Sequence, residues 1–222
     1  MAKILSVPAR AVLSYGVNPI ARLLLRLGVT PNAVTVAGTV GVVVGALGFG
    51  ARGHLVIATL FVTACALTDL LDGTMARIRG DRGRFGALLD SSMDRISDGA
   101  IFGAVVYYFA TRDADDPYRG MIAGLLCLVL GQVVSYVKAR AESVGLNADV
   151  GLAERTERLV LVGIGGLLSG AGLEWGLPAA LWLLALLSVV TVLQRLFAAA
   201  ASDRANVAAA EAAHSETPDG GA

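Results

Sequence analysis

Charged residues are scarce in this sequence. Asp, Glu, Lys and Arg make up 16% of its 222 residues, whereas a typical soluble domain carries about 25%. Hydrophobic residues make up 55%, and the mean hydropathy is +0.68. The formal net charge is zero, so the chain has no overall electrostatic attraction to nucleic acid. Together with long apolar runs, this composition predicts an integral membrane protein with one compact domain.

Cysteine and histidine are also rare. Cys65 and Cys127 both fall inside apolar runs, which disfavours a disulfide framework. His54 and His214 lie in a short loop and in the polar tail, where we interpret them as solvated residues. A zinc centre built on cysteine and histidine is therefore disfavoured as well.

The apolar runs predict an all-α membrane fold with six transmembrane helices, preceded by an interfacial helix. Each run is near the ~20 residues that cross about 30 Å of hydrocarbon. Residues 1–30 mix arginines with apolar side chains and predict an amphipathic segment along the membrane surface. Residues 31–200 are the predicted six-helix domain, and residues 201–222 a disordered tail. The predicted spans cover about 33–50, 54–76, 86–111, 119–141, 156–172 and 177–198.

The basic residues predict the orientation of these spans. If the N-terminus is cytoplasmic, fifteen of the 18 Lys and Arg residues face the cytoplasm, and only Arg52, Arg112 and Arg119 lie outside. This bias predicts a multi-pass protein of the plasma membrane. The connection between spans two and three then lies on the cytoplasmic side.

Aspartates are concentrated around that connection, in the stretch DLLDGTMARIRGDRGRFGALLDSSMDRISD, which contains no glutamate. Asp69 and Asp72 are three residues apart and share a helix face, and Asp90 and Asp94 are four apart and do the same. The short basic loop between the helices predicts that the two pairs face each other. Four converging carboxylates repel one another unless a cation lies between them, and Mg²⁺ or Mn²⁺ prefers such oxygen ligands.

The alternative is an interfacial network of ion pairs with the neighbouring arginines. We favour that alternative for Asp81, which lies in the loop, and leave it open for Asp98.

The same stretch matches the pattern D-x-x-D-G-x-x-A-R-x8-G-x3-D-x3-D. The matching residues are Asp69, Asp72, Gly73, Ala76, Arg77, Gly86, Asp90 and Asp94. In this pattern and in its six-span layout the chain resembles the CDP-alcohol phosphatidyltransferases. Members of that family transfer a phosphatidyl group from CDP-diacylglycerol to an alcohol and release CMP. The resemblance also implies a homodimer embedded in membrane lipid.

The resemblance implies roles for individual residues. Asp69, Asp72 and Asp90 would hold a two-metal centre of Mg²⁺ or Mn²⁺, with Asp94 both a ligand of the second ion and the general base. The residues expected to contact CDP-diacylglycerol are Asn32, Thr35, Gly73, Thr74, Arg77, Gly83 and Gly86. For Asn32, a helix cap after Thr30 and Pro31 remains an open alternative.

Basic residues near the predicted cytoplasmic ends of the last three spans suit a phosphate on the acceptor alcohol. The residues selected for this role are Ser135, Lys138, Arg155 and Arg195. Arg195 interrupts an apolar helix, and such residues usually face the interior of a bundle. The alternative is ordinary positive-inside charge paired with the acidic residues Glu142, Glu154 and Glu157.

The segment SYVKARAESVGL and the downstream ERTER resemble the actinobacterial members of the family that use inositol 1-phosphate as acceptor. This resemblance implies synthesis of phosphatidylinositol phosphate, a step of phospholipid biosynthesis. Glycerol 3-phosphate is the alternative acceptor, since a basic pocket would suit it too. A transporter of divalent metal or lipid is the non-enzymatic alternative. The carboxylates lie at one interface, whereas transporter sites usually lie at the midplane.

Overall fold

The part of the chain that the structure describes is helical almost throughout. The structure, a computed structural model, describes residues 17–80, 83–112 and 117–215, and contains no strand among them. Helix α1 covers residues 17–26. The others are α2 (Pro31–Gly45, continued by a π-helical turn at Ala46–Gly50), α3 (Leu55–Ala66), α4 (Thr68–Arg79), α5 (Arg84–Arg112), α6 (Pro117–Ser143), α7 (Arg155–Gly170) and α8 (Gly176–Ser215).

Within the described residues, four helical segments are long and apolar enough to cross a membrane. These segments are Pro31–Gly50, Leu55–Arg79, Tyr118–Ser143 and Gly176–Glu211. The other two predicted spans coincide with α5 and α7 but do not meet the same standard. The first half of α5 carries the charged motif residues, and α7 is only 16 residues long. Six spans are therefore not confirmed.

Six of the helices in the described part of the chain pack in a closed ring. Around the ring, α2 contacts α3, α3 contacts α7, α7 contacts α8, α8 contacts α6, α6 contacts α5, and α5 returns to α2. The largest apolar core lies where α5, α6 and α8 meet and includes Phe102, Phe109, Cys127 and Leu181, all 3% exposed or less. The large apolar side chains left outside, such as Leu186 and Val129, suit contact with lipid.

Glycines let α2 approach α3 and α4 closely. A Cβ atom at Gly38 would lie 2.1 Å from the hydroxyl of Thr68, and one at Gly41 would lie 2.5 Å from the sulfur of Cys65. Such distances are far below van der Waals contact, so larger residues would force the helices apart. The closeness matters because Thr68 begins the helix that carries the first aspartate pair.

Helix α4 is offset from α3 by an interruption at Leu67, where the Thr68 hydroxyl donates a hydrogen bond of 2.6 Å to the carbonyl of Cys65. It ends at Gly80, whose φ of +73° is a left-handed conformation that glycine adopts without strain. Both α4 and α5 pack on α2 and make little direct contact with each other. The faces of α4 and α5 therefore leave room for the aspartates between them.

The structure describes part of the predicted interfacial helix and extends α8 beyond the end of the predicted domain. Residues 1–16 of the predicted interfacial helix lie outside the described residues, and the described part, α1, buries Ala21 against Val34 and Met75. At the other end α8 continues to Ser215, so residues 201–215 are helical where we predicted disorder. This segment is rich in alanine, the residue with the highest helix propensity. Residues 216–222 lie outside the described part.

Candidate active site

The two aspartate pairs lie close to one another across the gap between α4 and α5. Asp69 and Asp90 both act electrostatically on Asp72, and both also act on Asp94. Asp72 is only 7% exposed, and the Asp94 side chain is 16% exposed. The structure thus concentrates negative charge in partly buried surroundings, where a compensating positive charge is required.

Arg155, the first residue of α7, supplies positive charge to this cluster. Its guanidinium donates a hydrogen bond to Asp69 and lies 2.9 Å from Asp94. Arg95 adds a longer ion pair with Asp94, at 3.9 Å. The Arg155 side chain is 23% exposed, so the pairs it makes are only partly screened by solvent. Arg155 therefore ties α7 to the aspartates of both α4 and α5.

The donor set is chemically suited to a hard divalent cation. The four motif side chains offer carboxylate oxygens, which are the ligands that Mg²⁺ and Mn²⁺ prefer. Within residues 17–80, 83–112 and 117–215, however, no three acidic, His or Cys side chains are arranged closely enough to hold a metal ion. In this arrangement Arg155 balances part of the charge, and the assignment of metal ligands stays a prediction.

Thr35 of α2 holds Asp72 in place. Its hydroxyl lies 2.6 Å from the Asp72 carboxylate, in a buried contact that joins α2 to α4. The nucleotide contact expected of Thr35 stays a prediction, and the structure adds a contact that orients a motif aspartate. The two residues are 37 positions apart, which is why the sequence did not reveal the pair.

Three of the predicted nucleotide contacts form one patch on α4. Arg77 donates to the carbonyl of Gly73 at 3.1 Å and to the hydroxyl of Thr74 at 2.9 Å. No atom outside the local helix backbone lies within 4 Å of the place that a Cβ atom of Gly73 would occupy. The open space beside Gly73 leaves the α4 backbone accessible to a ligand.

The remaining nucleotide candidates lie at the start of α2 and α5. Thr30, not Asn32, caps α2, because its side chain accepts a hydrogen bond from the backbone of Ala33. The cap proposed for Asn32 is therefore wrong, and its side-chain oxygen instead faces Gly86, 3.6 Å from the position of a Cβ atom there. Gly83 is exposed and directly precedes α5.

A second ion pair between α5 and α7 lies one helical turn from the first. Arg158 and Asp98 are 2.6 Å apart, and their side chains are only 1% and 2% exposed. For Asp98 the sequence left the choice between ion pairing and function open. Their spacing was an available signal, because Asp98 follows Asp94 by four residues and Arg158 follows Arg155 by three.

The other predicted acceptor-binding residues have their described partners away from the four motif aspartates. Lys138 pairs with Asp149 at 2.5 Å, and Ser135 donates within its own helix to the carbonyl of Gly131 at 3.1 Å. Arg195, 3% exposed, pairs with Glu154 at 3.0 Å, which is the alternative that we left open for it.

Arg195 also organises the loop that precedes α7. It donates to the carbonyl of Val150 at 2.8 Å and to that of Val134 at 2.6 Å. Thr191, one turn earlier on α8, accepts hydrogen bonds from the backbone of Leu152 and Ala153. Sequence reasoning missed Thr191, because an isolated threonine in an apolar helix carries no distinctive signal.

An apolar cavity of about 650 Å³ runs between α3, α5 and α7 and reaches the carboxylate cluster. Its walls are mostly aliphatic, with Val62, Ile101 and Leu159 among them, and Asp69 and Arg155 line it as well. The same cavity therefore combines an apolar wall with a charged end. This arrangement suits an amphiphilic ligand with a negatively charged head group.

The fold and the site together define a helical membrane protein with an aspartate–arginine centre at the end of an apolar cavity. The model of the CDP-alcohol phosphatidyltransferase family matches residues 28–194. The chain therefore belongs to this family of enzymes.

Its relatives are closely similar over most of their length. The phosphatidylinositol phosphate synthase of Mycobacteroides abscessus is 48% identical over 182 residues, which cover 82% of both chains. The synthase of Mycobacterium tuberculosis is 46% identical over 196 residues, which cover 85% of this chain and 87% of the relative.

Solved structures of the M. tuberculosis phosphatidylinositol phosphate synthase share the fold at 46% identity. The crystal structure with CDP-DAG bound gives a TM-score of 0.78 and covers 82% of this chain and 92% of that one. The complex with manganese and citrate gives a TM-score of 0.79 and covers 82% and 88%.

Proposed function

We propose that this enzyme transfers the phosphatidyl group of CDP-diacylglycerol to inositol 1-phosphate, forming phosphatidylinositol phosphate and CMP. The observation that carries the proposal is the apolar cavity that ends at Asp69 and Arg155. It can hold an acyl chain while a diphosphate head group lies beside the charged residues. The likeness to relatives named phosphatidylinositol phosphate synthase supports inositol 1-phosphate as the acceptor.

The chemistry requires an activated hydroxyl and stabilised negative charge. An oxygen of the acceptor attacks the phosphorus that carries diacylglycerol, and the bond from that phosphorus to CMP breaks. Asp94 takes the proton of the attacking hydroxyl as general base. The partly buried position of Asp94 between α5 and α7 supports this role.

We assign Asp69, Asp72, Asp90 and Asp94 as ligands of two divalent ions, Mg²⁺ or Mn²⁺. Such ions would neutralise charge that develops on the diphosphate. On the protein side, Thr35 orients Asp72, and the open backbone at Gly73 with Arg77 beside it forms the surface for the nucleotide.

The proposed arrangement in the membrane is inferred from the distribution of basic residues and from the ring of six helices. Residues 31–200 form the catalytic domain, in which α5 and α7 join the four apolar segments as spans, and residues 1–30 lie along the interface. The site faces the cytoplasm from the plasma membrane, and the protein forms a homodimer through apolar helix faces. The exposed aliphatic side chains of the helices support such membrane and subunit contacts.

A panel of acceptors tests the function. Purified protein is given CDP-diacylglycerol, Mg²⁺ and one of inositol 1-phosphate, inositol, glycerol 3-phosphate or serine, and release of CMP is measured. Inositol 1-phosphate should give the highest kcat/KM. Preference for glycerol 3-phosphate would show that the proposed acceptor is wrong but that the reaction class is right. If no acceptor leads to release of CMP, the proposed enzymatic activity is refuted and a transporter is favoured.

A further inference from the structure

Helices α5 and α7 are joined by two consecutive Asp–Arg pairs. The outer pair, Asp94 and Arg155, lies in the candidate active site. The inner pair, Asp98 and Arg158, lies one turn further along both helices and is almost completely buried. The outer pair takes part in the proposed reaction, which leaves the inner pair to be explained.

The inner pair does not touch the site directly, but it is built into the segment that carries Arg155. Arg158 donates one hydrogen bond to Asp98 at 2.6 Å and another to the carbonyl of Ala153 at 3.3 Å. Ala153 immediately precedes Glu154, the partner of Arg195. Arg158 therefore fixes the first turn of α7 both to α5 and to the loop before it.

The guanidinium of Arg158 also packs against α6. A Cβ atom at Gly131 would lie 3.5 Å from its Nε atom, which is an ordinary van der Waals distance. Nε of Arg158 and Oδ1 of Asp98 are buried without hydrogen-bond partners. Such unpartnered buried atoms cost stability, and replacing a buried ion pair by apolar residues is often neutral or stabilising, so stability alone does not explain this pair.

We infer that Asp98 and Arg158 are a positioning pair that fixes the first turn of α7 relative to α5 and thereby places Arg155 beside the carboxylates to receive a phosphorylated acceptor. This inference rests on the proposed function, with a phosphorylated acceptor, and on the sequence-based assignment of Arg155 to the phosphate of that acceptor. Neither residue of the inner pair contacts substrate. The pair acts through the position of Arg155, and misplacement of a binding group by about 1 Å can cost on the order of 100-fold in rate.

The test is a double variant that removes both buried charges, Asp98→Leu with Arg158→Met. This variant should fold with a thermal midpoint near that of the wild type, because both members of the buried ion pair are replaced together by apolar residues. Its KM for the phosphorylated acceptor should nevertheless rise by about 10- to 100-fold, while its KM for CDP-diacylglycerol stays nearly unchanged. A well-folded double variant with the wild-type acceptor KM would overturn the inference.

A second variant decides the matter if the double variant fails to fold. Arg158→Lys keeps the buried positive charge but loses the planar fork that reaches both Asp98 and Ala153. It should fold and show the same selective rise in acceptor KM, and an unchanged acceptor KM would contradict the positioning role. Ser169→Ala, at the other end of α7, is the matched control. It removes a 2.8 Å hydrogen bond to the backbone of Leu177, so it should lower the thermal midpoint without changing the acceptor KM.

The wild-type protein separates this inference from the proposed function. If wild type prefers glycerol 3-phosphate, the proposed acceptor is wrong, and the variants are compared with that phosphorylated substrate instead. If wild type uses only an acceptor without a phosphate, Arg155 has no phosphate to bind, and the positioning role fails with it.

Discussion

Nη1 of Arg155 lies 2.9 Å from Oδ1 of Asp94, and the same atom also donates to Asp69. One guanidinium thus contacts carboxylate oxygens of two residues on different helices, and both residues are assigned as metal ligands. A metal ion that takes these oxygens must replace the contacts of Arg155. If the assignments hold, this relationship couples the proposed metal site to the proposed acceptor site, because Arg155 contacts two assigned metal ligands and is itself assigned to the acceptor phosphate.

Arg155→Gln should therefore bind divalent metal more tightly than the wild type. The wild type has to give up charge-assisted hydrogen bonds worth about 1.5–3 kcal/mol before a metal can bind, so we expect at least about a tenfold gain in affinity. Mn²⁺ titration monitored by the thermal midpoint in the absence of substrates measures this effect. Arg140→Gln removes an exposed charge that bonds only locally, to Ser143, and should behave like the wild type. Weaker Mn²⁺ binding in Arg155→Gln would contradict the competition.

Asp94→Asn should nearly abolish turnover while substrate binding is largely retained. The amide keeps the shape of the side chain but cannot accept the proton, and loss of a general base costs about 10²- to 10⁴-fold in rate. CMP release and binding of CDP-diacylglycerol should be measured on the same preparation. Full activity in this variant would remove Asp94 from the mechanism.

Asp69→Asn and Asp72→Asn should lower both metal affinity and rate, and raised Mg²⁺ should partly restore activity. Each change removes one charged ligand but leaves the rest of the site. The dependence of CMP release on Mg²⁺ concentration measures this rescue. Asp81→Asn is the control and should match the wild type, because the sequence favours an ion pair with a neighbouring arginine for Asp81, which lies outside the described residues. An equal loss in Asp81→Asn would place the metal site elsewhere.

Thr35→Val should destabilise the protein and raise the Mg²⁺ requirement. The change keeps the volume of the side chain but removes the 2.6 Å donor from the buried Asp72 carboxylate. Loss of a hydrogen bond to a charged group costs about 1.5–3 kcal/mol. Thermal unfolding and the Mg²⁺ dependence of CMP release report the two effects. Thr111→Val, which removes only a local bond to Tyr107 on α5, should leave the Mg²⁺ requirement unchanged.

The sequence was informative where spacing within one helix determined geometry. Asp69 and Asp72, or Asp90 and Asp94, share a helix face whatever the rest of the chain does, so their pairing could be predicted from the motif. The partners of these residues could not. Arg155 is 86 residues from Asp69, and Arg158 is 60 from Asp98. Such contacts depend on how the helix ring closes, and no local pattern encodes that closure.

Charge explains why the span prediction is only partly confirmed. The apolar runs of α5 and α7 are recognisable, but the charged residues at their ends shorten the stretch that suits hydrocarbon. Those same residues form the two Asp–Arg pairs. The two helices that these pairs join are thus the ones least like ordinary membrane spans, as expected for functional charges in a membrane.

The cavity prediction concerns the lipid substrate. Gly163→Leu places a branched side chain in the cavity between α3 and α7, where a Cβ atom would already be 3.5 Å from Thr59. The KM for long-chain CDP-diacylglycerol should rise severalfold, and the KM for a short-chain analogue should change less. Gly103→Leu also replaces a helical glycine, but it faces open space away from the cavity walls and should leave both values unchanged. Equal effects of the two variants would remove the cavity from lipid binding.

The last prediction concerns the phosphate of the acceptor. Arg155→Ala removes charge-assisted bonds worth about 1.5–3 kcal/mol, so the acceptor KM should rise by roughly 10- to 150-fold, with a much smaller change for CDP-diacylglycerol. Lys138→Ala should act in the same direction but less, because an ammonium group cannot grip a phosphate bidentately and Lys138 already pairs with Asp149. Kinetics with each substrate varied separately measure both effects.

Arg195 provides the sharpest contrast in the same experiment. Its guanidinium is buried on two backbone carbonyls and Glu154, so Arg195→Ala leaves buried acceptors unpaired and should chiefly lower the folded yield. If the folded fraction of Arg195→Ala keeps its acceptor KM while Arg155→Ala loses affinity, Arg155 is the phosphate ligand and Arg195 holds the loop that precedes it. A comparable rise in both variants would instead make the two arginines a shared clamp. An unchanged acceptor KM in all three variants would leave the phosphate without a ligand among these residues, and the choice of a phosphorylated acceptor would then be wrong.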